Sequence, residues 1–155
     1  MHEKPEGVTR IALQNTNNLS LWVPPHKNMK MLNIKRFVRK SECDVIGITE
    51  HGTNLAAIER NRSLRSQLSS NTELRTVACH NKHDGGKEVK QWGGTAVAAF
   101  DHAATLVTDT GEDSSGLGRY CWIKIEGRTA DGKSRATRII SATTFKTPTT
   151  KFDDS

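Results

Sequence analysis

The sequence predicts an α/β fold in which a mixed sheet is flanked by helices. Two observations lead to it: the N-terminal third has a strand–helix–strand pattern, and the remainder has short apolar runs separated by turn sequences. A compact apolar run directly after a helix is typical of a buried parallel strand, and it completes a βαβ unit. Short strands joined by tight turns pair antiparallel instead. A sheet with both kinds of pairing, covered by helices, is therefore expected.

The βαβ unit covers residues 9–49. Residues 9–15, TRIALQN, alternate apolar and polar side chains, as in a short half-buried strand. Residues 26–41 place their apolar side chains at helical spacing, which predicts an amphipathic, basic helix. The apolar run of residues 44–49, DVIGIT, predicts a buried strand that ends directly before Glu50. The apolar face of the helix consists of Met31, Ile34, Phe37 and Val38.

The segments that follow predict one more helix and several strands. Residues 54–70 carry leucine and isoleucine at helical intervals, and residues 73–79, ELRTVAC, have the composition of a strand. Four strand-like runs come next, with turn sequences such as Asp84-Gly85-Gly86 between them, and predict a meander of antiparallel hairpins. These runs are residues 94–100, 105–108, 120–126 and 137–142.

Composition narrows the class of protein. The chain has 155 residues, of which 34% are hydrophobic and 26% charged, and this suits one folded domain. No apolar run approaches the ~20 residues that span a bilayer, and the first residues lack the hydrophobic stretch of a signal peptide. We therefore expect an intracellular protein, in the nucleus or the cytoplasm, with no membrane partner. The widely spaced Cys43, Cys79 and Cys121 are expected to be reduced thiols.

The excess of positive charge favours a polyanionic partner. Lysine and arginine number 23 against 17 aspartates and glutamates, a net charge of +6, and such a charge attracts nucleic acid at long range. The basic side chains of the predicted helix either follow a DNA backbone or face solvent, and the sequence leaves both readings open. They are Lys27, Lys30, Lys35, Arg36, Arg39 and Lys40.

Two polar residues stand where predicted strands end. Asn15 closes the first strand, and an amide there can bind a phosphate oxygen or orient a metal-bound carboxylate. Glu50 follows the apolar strand at the carboxyl end of the sheet, the usual edge for ligand sites in α/β folds. Because Mg²⁺ is commonly held by one or two carboxylates with water and phosphate, a single glutamate can anchor it. A turn role for Asn15 and a surface role for Glu50 are the alternatives.

Two further motifs carry less information. Cys79, His80 and His83 form a CHxxH cluster, but three ligands on one loop do not make a closed tetrahedral zinc site. Residues 92–98, WGGTAVA, place a glycine pair before an apolar strand, without the spacing of a phosphate-binding loop. Neither motif alone assigns a function.

Taken in order and spacing, these segments resemble the endonuclease/exonuclease/phosphatase superfamily, which has the deoxyribonuclease-I-like fold. The likeness covers residues 9–142 and is greatest to retrotransposon-type endonucleases. It rests on the strand ending at Asn15, the basic helix, DVIGITE with Glu50, GGTAVAAF, GLGRYCWIKIEG and TRIISA.

The resemblance implies a fold, a site and a partner. The fold is a four-layered α/β sandwich, of which this chain is the N-terminal part. Asn15 is implied as a catalytic residue at the phosphate, and Glu50 as the metal ligand. The implied cofactor is Mg²⁺, with Mn²⁺ as the alternative, and the implied partner is nucleic acid, most naturally DNA.

The sequence also departs from the superfamily pattern. An aromatic-Arg-Pro turn is expected after TRIISA, but Thr143, Thr144 and Phe145 stand there. GDFN-like and Ser-Asp-His segments, the latter carrying the general base, are not found in the tail, and Asn18 replaces the usual glycine after the first strand.

These departures lead to an expected organisation. Residues 1–8 are expected to be a disordered N-terminus, residues 9–142 a partial domain, and residues 143–155 a frayed, divergent tail.

The function expected is therefore a metal-dependent phosphodiesterase of endonuclease type, truncated and inactive alone. The alternative is a non-catalytic, basic nucleic-acid-binding remnant of a mobile element, and a chain with no retained function is the third hypothesis. With the second half of the sandwich missing, the strands at 94–100, 120–126 and 137–142 are expected to leave an apolar face and an unpaired edge. Self-association through this exposed sheet is expected.

Overall fold

Two sheets pack face to face in the computed structural model, which describes residues 3–69 and 73–144. The strands are β1 (Ile11–Asn15), β2 (Val45–Thr49), β3 (Leu74–Cys79), β4 (Thr95–Phe100), β5 (Val107–Glu112), β6 (Tyr120–Arg128) and β7 (Ser134–Ala142). The first sheet has the order β1-β2-β4-β3, and the second has the order β5-β6-β7. Only β1 and β2 pair parallel among these strands; the other pairs are antiparallel. The predicted α/β fold with a mixed sheet is confirmed.

The helices are α1 (Met29–Ser41), α2 (Leu64–Leu68) and α3 (Asp101–Thr105), with short 3-10 turns at Pro25–Lys27 and Arg60–Arg62. Asn28 caps α1, because its side-chain oxygen accepts the Met31 N–H at 3.1 Å. The Asn28 amide also donates to the Leu19 carbonyl at 2.9 Å, which joins the start of α1 to the preceding loop. Met31 and Ile34 are buried as expected, but Phe37, assigned to the same apolar face, is largely exposed.

The two central strands of the first sheet, β2 and β4, are buried along their whole length. Such strands have apolar residues on both faces, and each face belongs to a separate core. Ile46 and Ile48 of β2 pack on the side of α1, whereas Val45 and Val97 pack against the second sheet. Helices α1 and α2 therefore cover one face of β2 and β4, and the second sheet with α3 covers the other.

The sheets approach closely at Gly47 in the middle of β2. A Cβ there would lie 3.0 Å from the Leu13 side chain and 3.3 Å from that of Ser141, so a larger residue would have to push these side chains aside. The Ser141 hydroxyl in β7 donates to the Ile48 carbonyl at 3.0 Å. This hydrogen bond joins the two sheets directly across the interface.

The second sheet covers only part of the first. β5 and β6 pack on β3, β6 and β7 pack on β4, and β7 also packs on β2, while β1 extends past β7. Ile11 and Leu13 are paired with Val45 and Gly47, so they point toward the second sheet's side, yet they are 54% and 67% exposed. We call this feature, formed by Ile11, Leu13 and the outer edge of β7, the open step.

Several predicted segments differ in the structure. Residues 94–100 are not part of a meander: β4 lies between β2 and β3, and α3 then leads to the second sheet. Of the strands expected to be uncovered, β4 is buried throughout, contrary to expectation, whereas Ile140 of β7 is exposed. The other large apolar side chains that the sheets expose are on β1. Residues 105–108 form the end of α3 and the start of β5. An apolar run without polar alternation suits a central strand, which explains the position of β4.

The helix expected over residues 54–70 is reduced to α2. The Asn54 side chain accepts the Ala56 N–H at 3.1 Å and donates to the carbonyls of Gly86 and Glu88, which holds the backbone in a turn. Ser63 then caps α2 by accepting the Ser66 N–H at 3.2 Å. The hydrogen bonds of the Asn54 side chain thus favour a turn over the first part of the expected helix.

Residues 1–8 were expected to be disordered and residues 143–155 to be frayed. Of these, residues 1–2 and 145–155 lie outside the described residues. Lys4, within the segment expected to be disordered, places its ammonium 2.6 Å from the Asp44 carboxylate. Within residues 3–69 and 73–144, no helix combines the length and apolar character needed to cross a bilayer.

The open step generates a prediction about association. Replacing Ile11 and Leu13 together by threonine should lower hydrophobic-dye binding and any dimer fraction of the purified chain, because the step is apolar surface beside an unpaired strand edge. Sedimentation and dye fluorescence measure this. Met29→Thr, at an exposed apolar residue of α1, is the control and should change neither. A parent chain that is monomeric and binds no dye would contradict the prediction, because the open step would then cause neither association nor dye binding.

Candidate functional site

Asn15 and Glu50 lie at the same end of the first sheet. Asn15 pairs with Thr49 in the parallel ladder, and Glu50 follows Thr49 directly. Thr49 pairs in turn with Thr95 at the start of β4. The carboxyl ends of β1 and β2 therefore meet, as parallel neighbours in an α/β sheet do. We call this region, residues 15–20 and 50–53, the sheet mouth.

The two loops of the sheet mouth are bonded to each other through their backbones. The Thr16 N–H donates to the Thr49 carbonyl at 3.0 Å, and the Asn18 N–H donates to the Glu50 carbonyl at 2.7 Å. The Thr16 hydroxyl also lies 3.0 Å from the Glu50 carbonyl. These bonds fix the backbone of Glu50 relative to the end of β1.

The backbone of the sheet mouth is strained. Among the described residues, six non-glycine residues have positive φ, and four of them are here: Asn17 (+40°), Asn18 (+73°), Ser20 (+55°) and Glu50 (+57°). Left-handed backbone costs about 1 kcal/mol or more at a residue with a Cβ. Residues kept in such conformations cluster at functional sites, so this concentration marks the sheet mouth as a candidate.

Lys30 of α1 holds the strained loop together. Its ammonium donates to the carbonyls of Thr16, Asn17 and Asn18 at 2.8, 2.6 and 2.9 Å. All three donor positions of the ammonium are thereby used. Lys30 was among the side chains considered for a DNA backbone, but the structure gives it a role inside the protein.

Two of the other basic residues of α1, Lys35 and Arg39, lie away from the sheet mouth. α1 begins beside the mouth, where Lys30 bonds to the loop, and runs to Ser41 before β2 begins at Val45. Arg39 and Lys35 line a cavity of about 410 Å³ together with Glu42, Asp44 and Asp101, at the other end of the sheet. Lys35 and Arg39 are therefore separated from the candidate site.

The side chains of Asn15 and Glu50 differ in what they already bind. The Asn15 side-chain oxygen accepts the Asn17 N–H at 2.9 Å, an Asx turn that shapes the loop. Among the described residues, the Glu50 carboxylate has no hydrogen bond or ion pair, although the residue is half-buried. Its oxygens remain open to a ligand.

His51, next to Glu50, belongs to the framework. Its ring is fully buried, its Nε2–H donates to the Cys79 carbonyl at 2.9 Å, and its Nδ1 accepts the Thr53 N–H at 3.1 Å. Burial lowers the pKa of His51 to about 4, because the charged form loses its hydration there. A neutral imidazole with both nitrogens engaged is not placed to take a proton from water.

The glycine pair of residues 93–94 packs against this histidine. A Cβ at Gly94 would lie 2.4 Å from the His51 ring, and Gly94 has a φ of +83°, so glycine is required there. The Gly94 and Gly93 carbonyls accept the N–H groups of His51 and Gly52 at 3.3 and 2.9 Å. The glycine motif seen in the sequence thus closes the side of the sheet mouth.

The CHxxH cluster does not assemble a metal site. The Cys79 thiol lies 3.1 Å from the Thr95 hydroxyl and donates to the Tyr120 carbonyl at 3.2 Å, between the sheets. His83 Nε2 bonds to the Ser115 carbonyl at 2.6 Å. In the described part of the chain, no group of three or more His, Cys, Asp or Glu side chains is placed to hold a metal ion.

Sequence reasoning identified the sheet mouth but missed how it is held. Nothing in the spacing of Lys30 distinguishes it from the basic residues around it, because the carbonyls it binds belong to a loop 12 to 14 positions away. The positive φ of Glu50 is also invisible in the sequence, since glutamate rarely adopts it.

Comparison with known proteins gives the fold. The structure is similar to the catalytic domain of APE2 from Xenopus laevis, with a TM-score of 0.53 and 11% sequence identity over 86% of this chain and 44% of that chain. A weaker likeness, with a TM-score of 0.47 and 14% identity, covers 76% of this chain and 37% of an AP endonuclease from Archaeoglobus fulgidus. No protein-family model and no curated protein matches the sequence. The chain has a deoxyribonuclease-I-like fold and spans 44% of the length of the APE2 domain.

The pKa of His51 generates a prediction about stability. Above pH 6.5 the ring is neutral in both states, but below it the unfolded chain takes up a proton that the folded chain, with a pKa of about 4, refuses. Stability is thus full at neutral pH and falls as the pH drops from 6.5 to 4. Between pH 7 and pH 5 the loss from this residue should be about 2 kcal/mol.

Urea unfolding at several pH values measures this loss. His51→Gln should be less stable at pH 7, because it breaks two buried hydrogen bonds, but its stability should fall less toward pH 5. His26→Gln, at an exposed residue, should keep the parent's slope. Equal slopes in the parent and His51→Gln would contradict the assignment.

Proposed function

We propose that this chain is the metal-holding, nucleic-acid-binding part of a magnesium-dependent phosphodiesterase of endonuclease type. The observation that carries the proposal is the Glu50 carboxylate, which has no hydrogen bond or ion pair among the described residues. It follows β2 beside Asn15, at the carboxyl edge of a parallel strand pair. The deoxyribonuclease-I-like fold supports it. The proposed substrate is DNA, in keeping with the net charge of +6.

The residues present fit a loosely held Mg²⁺. Glu50 offers one hard carboxylate, and one or two carboxylates completed by water and a substrate phosphate are a common Mg²⁺ arrangement. Within the described residues, Glu50 is not part of any group of three or more His, Cys, Asp or Glu side chains placed to hold a metal. Bound Mg²⁺ supplies stabilisation of negative charge on the phosphate. Metal and nucleic acid should therefore bind this chain together, each strengthening the other.

The chain's own residues have distinct proposed roles. The Asn15 amide nitrogen can donate to a phosphate oxygen, because the side-chain oxygen is the atom used in the turn. Glu50 holds the metal, and the backbone bonds from Thr16 and Asn18 keep Glu50 in place. His51 and Lys30 are positioning residues that stabilise the loops.

Among the described residues of the sheet mouth, the only histidine, His51, is not placed to accept a proton from water. The histidine beside Glu50 is buried and already bonded at both nitrogens. We therefore propose that the chain binds nucleic acid but does not hydrolyse it unaided. The finer likeness to retrotransposon-type endonucleases, which rests on the ordered sequence segments, is part of the same proposal.

The first functional prediction concerns magnesium-linked binding. Mg²⁺ should strengthen binding of a short DNA duplex by roughly fivefold or more, a usual size for coupling between two ligands. Glu50→Gln should abolish that gain while slightly strengthening binding without metal, because one negative charge is removed near the phosphate. Fluorescence anisotropy in Mg²⁺ or EDTA measures both effects.

Glu73→Gln is the matched control for charge. Glu73 precedes β3 at the opposite end of the sheet, since Leu74 pairs with Phe100. The control should keep the full Mg²⁺ gain. A gain that survives in Glu50→Gln would sink the metal assignment.

The second functional prediction concerns catalysis. The parent chain should not nick supercoiled plasmid in Mg²⁺ or Mn²⁺, because a missing positioned base alone costs ~10²–10⁴ in rate. Glu50→Ala, purified alongside, identifies contaminating nuclease. Metal-dependent nicking that is present in the parent and absent from the variant would show that the chain is catalytically sufficient.

A further inference from the structure

The most exposed large apolar side chain among the described residues stands beside the sheet mouth. Trp92 is 79% exposed, more than Leu13 on the open step. An indole contributes more to stability than most side chains when it is buried. Single exposed apolar side chains are common on protein surfaces, so the position of this indole, and not its exposure alone, carries the inference.

The backbone that carries Trp92 is fixed to the sheet mouth. The Gln91 N–H donates to the Gly52 carbonyl at 3.0 Å, and the Gly52 N–H donates to the Gly93 carbonyl at 2.9 Å. These bonds bracket Trp92 on both sides and tie it to a residue two positions after Glu50. The indole thus stands on an anchored loop, and its place relative to Glu50 is set by the fold.

The residues beside Trp92 add further constraints. The Gln91 side chain is itself held, because it accepts the Asn81 N–H at 2.9 Å and donates to the Asn81 carbonyl at 2.8 Å. The Lys90 ammonium lies 5.5 Å from the Trp92 ring centroid. The loop therefore presents an aromatic plane together with an exposed cation.

We propose that Trp92 is a stacking platform for a nucleobase of the strand whose phosphate lies at Asn15 and Glu50, with Lys90 contacting the adjoining backbone. An aromatic plane beside a cation is the combination that binds single-stranded or locally unpaired nucleic acid with little sequence preference. This inference rests on the proposed function for the position of the phosphate. It adds a specificity: the site prefers a strand with an accessible base next to the phosphate.

A matched aromatic pair elsewhere provides a control. Trp122 in β6 also carries a cation, the Arg138 guanidinium 4.1 Å from its ring centroid. Its neighbours Cys121 and Ile123 face the core, so Trp122 points to the outer face of the second sheet, where it lies over Gly111. The Trp122 pair has the same chemistry but no bond to the sheet mouth in the described residues.

The test compares two probes of equal charge, a short oligothymidylate and a base-free sugar-phosphate chain of the same length. The parent should bind the oligothymidylate about tenfold more tightly, since base–aromatic stacking is worth that order per base. Trp92→Ala should bind both probes alike, and Trp92→Phe should retain part of the preference. Lys90→Gln should weaken both probes equally, and Trp122→Ala should behave as the parent.

The emission of Trp92 gives a second readout. In a Trp22→Phe, Trp122→Phe background Trp92 is the only tryptophan left, because the chain has three. Oligothymidylate should quench its fluorescence, and the base-free probe should not. Thermal unfolding of each variant shows whether it is folded.

The outcomes separate this inference from the proposed function. A preference for the base-containing probe that persists in Trp92→Ala, or unquenched Trp92 emission, overturns the platform even if Glu50→Gln still removes the Mg²⁺ gain. Loss of the preference in Trp92→Ala supports the platform even if Mg²⁺ has no effect, in which case the metal role fails alone. If neither probe binds, the platform is overturned, and the proposed function still stands or falls with the Mg²⁺-dependent binding of the duplex.

Discussion

The parallel pairing of β1 with β2 is the interaction on which the candidate site depends. It sets Asn15 against Thr49 and so brings the loops after both strands to one edge. The same pairing requires a crossover connection, which α1 provides, and α1 delivers the Lys30 ammonium to the carbonyls of the first loop. One strand pair therefore determines the position of the carboxylate, the amide and the lysine that stabilises them.

The sequence predicted this unit well because its signals are local. An alternating strand, an amphipathic helix and an apolar strand each have a period that can be read within a few residues. Glu50 stood out because a carboxylate directly after a buried strand needs a reason. The prediction was wrong where partners come from far along the chain: β4 pairs between β2 and β3, and no local pattern distinguishes that from a hairpin.

That Asn15 and Glu50 lie at one end of the sheet was predictable from the sequence, but the electrostatics around them were not. His51 adjoins Glu50 in the sequence and invites a catalytic reading, yet its burial depends on the glycines of the β4 loop and on the Cys79 carbonyl, 28 positions away. Lys30 is one of several basic residues of α1. Only the folded structure shows that its ammonium group donates to backbone carbonyls of the protein's own loop. Net charge alone thus overestimates the positive surface available to nucleic acid.

The strain at Glu50 is an argument about what the residue is for. With a φ of +57°, this position suits glycine, and glutamate there costs about 1 kcal/mol or more. The Glu50 carboxylate does not stabilise the fold through hydrogen bonds, because it bonds to no described residue. The hydrogen bonds that hold the loop are accepted by the Glu50 backbone carbonyl. A side chain that destabilises its own loop and forms no hydrogen bond or ion pair with the described residues is best explained by a ligand outside the chain. The same reasoning applies to Trp92, whose neighbours hold its backbone while its ring stays in solvent.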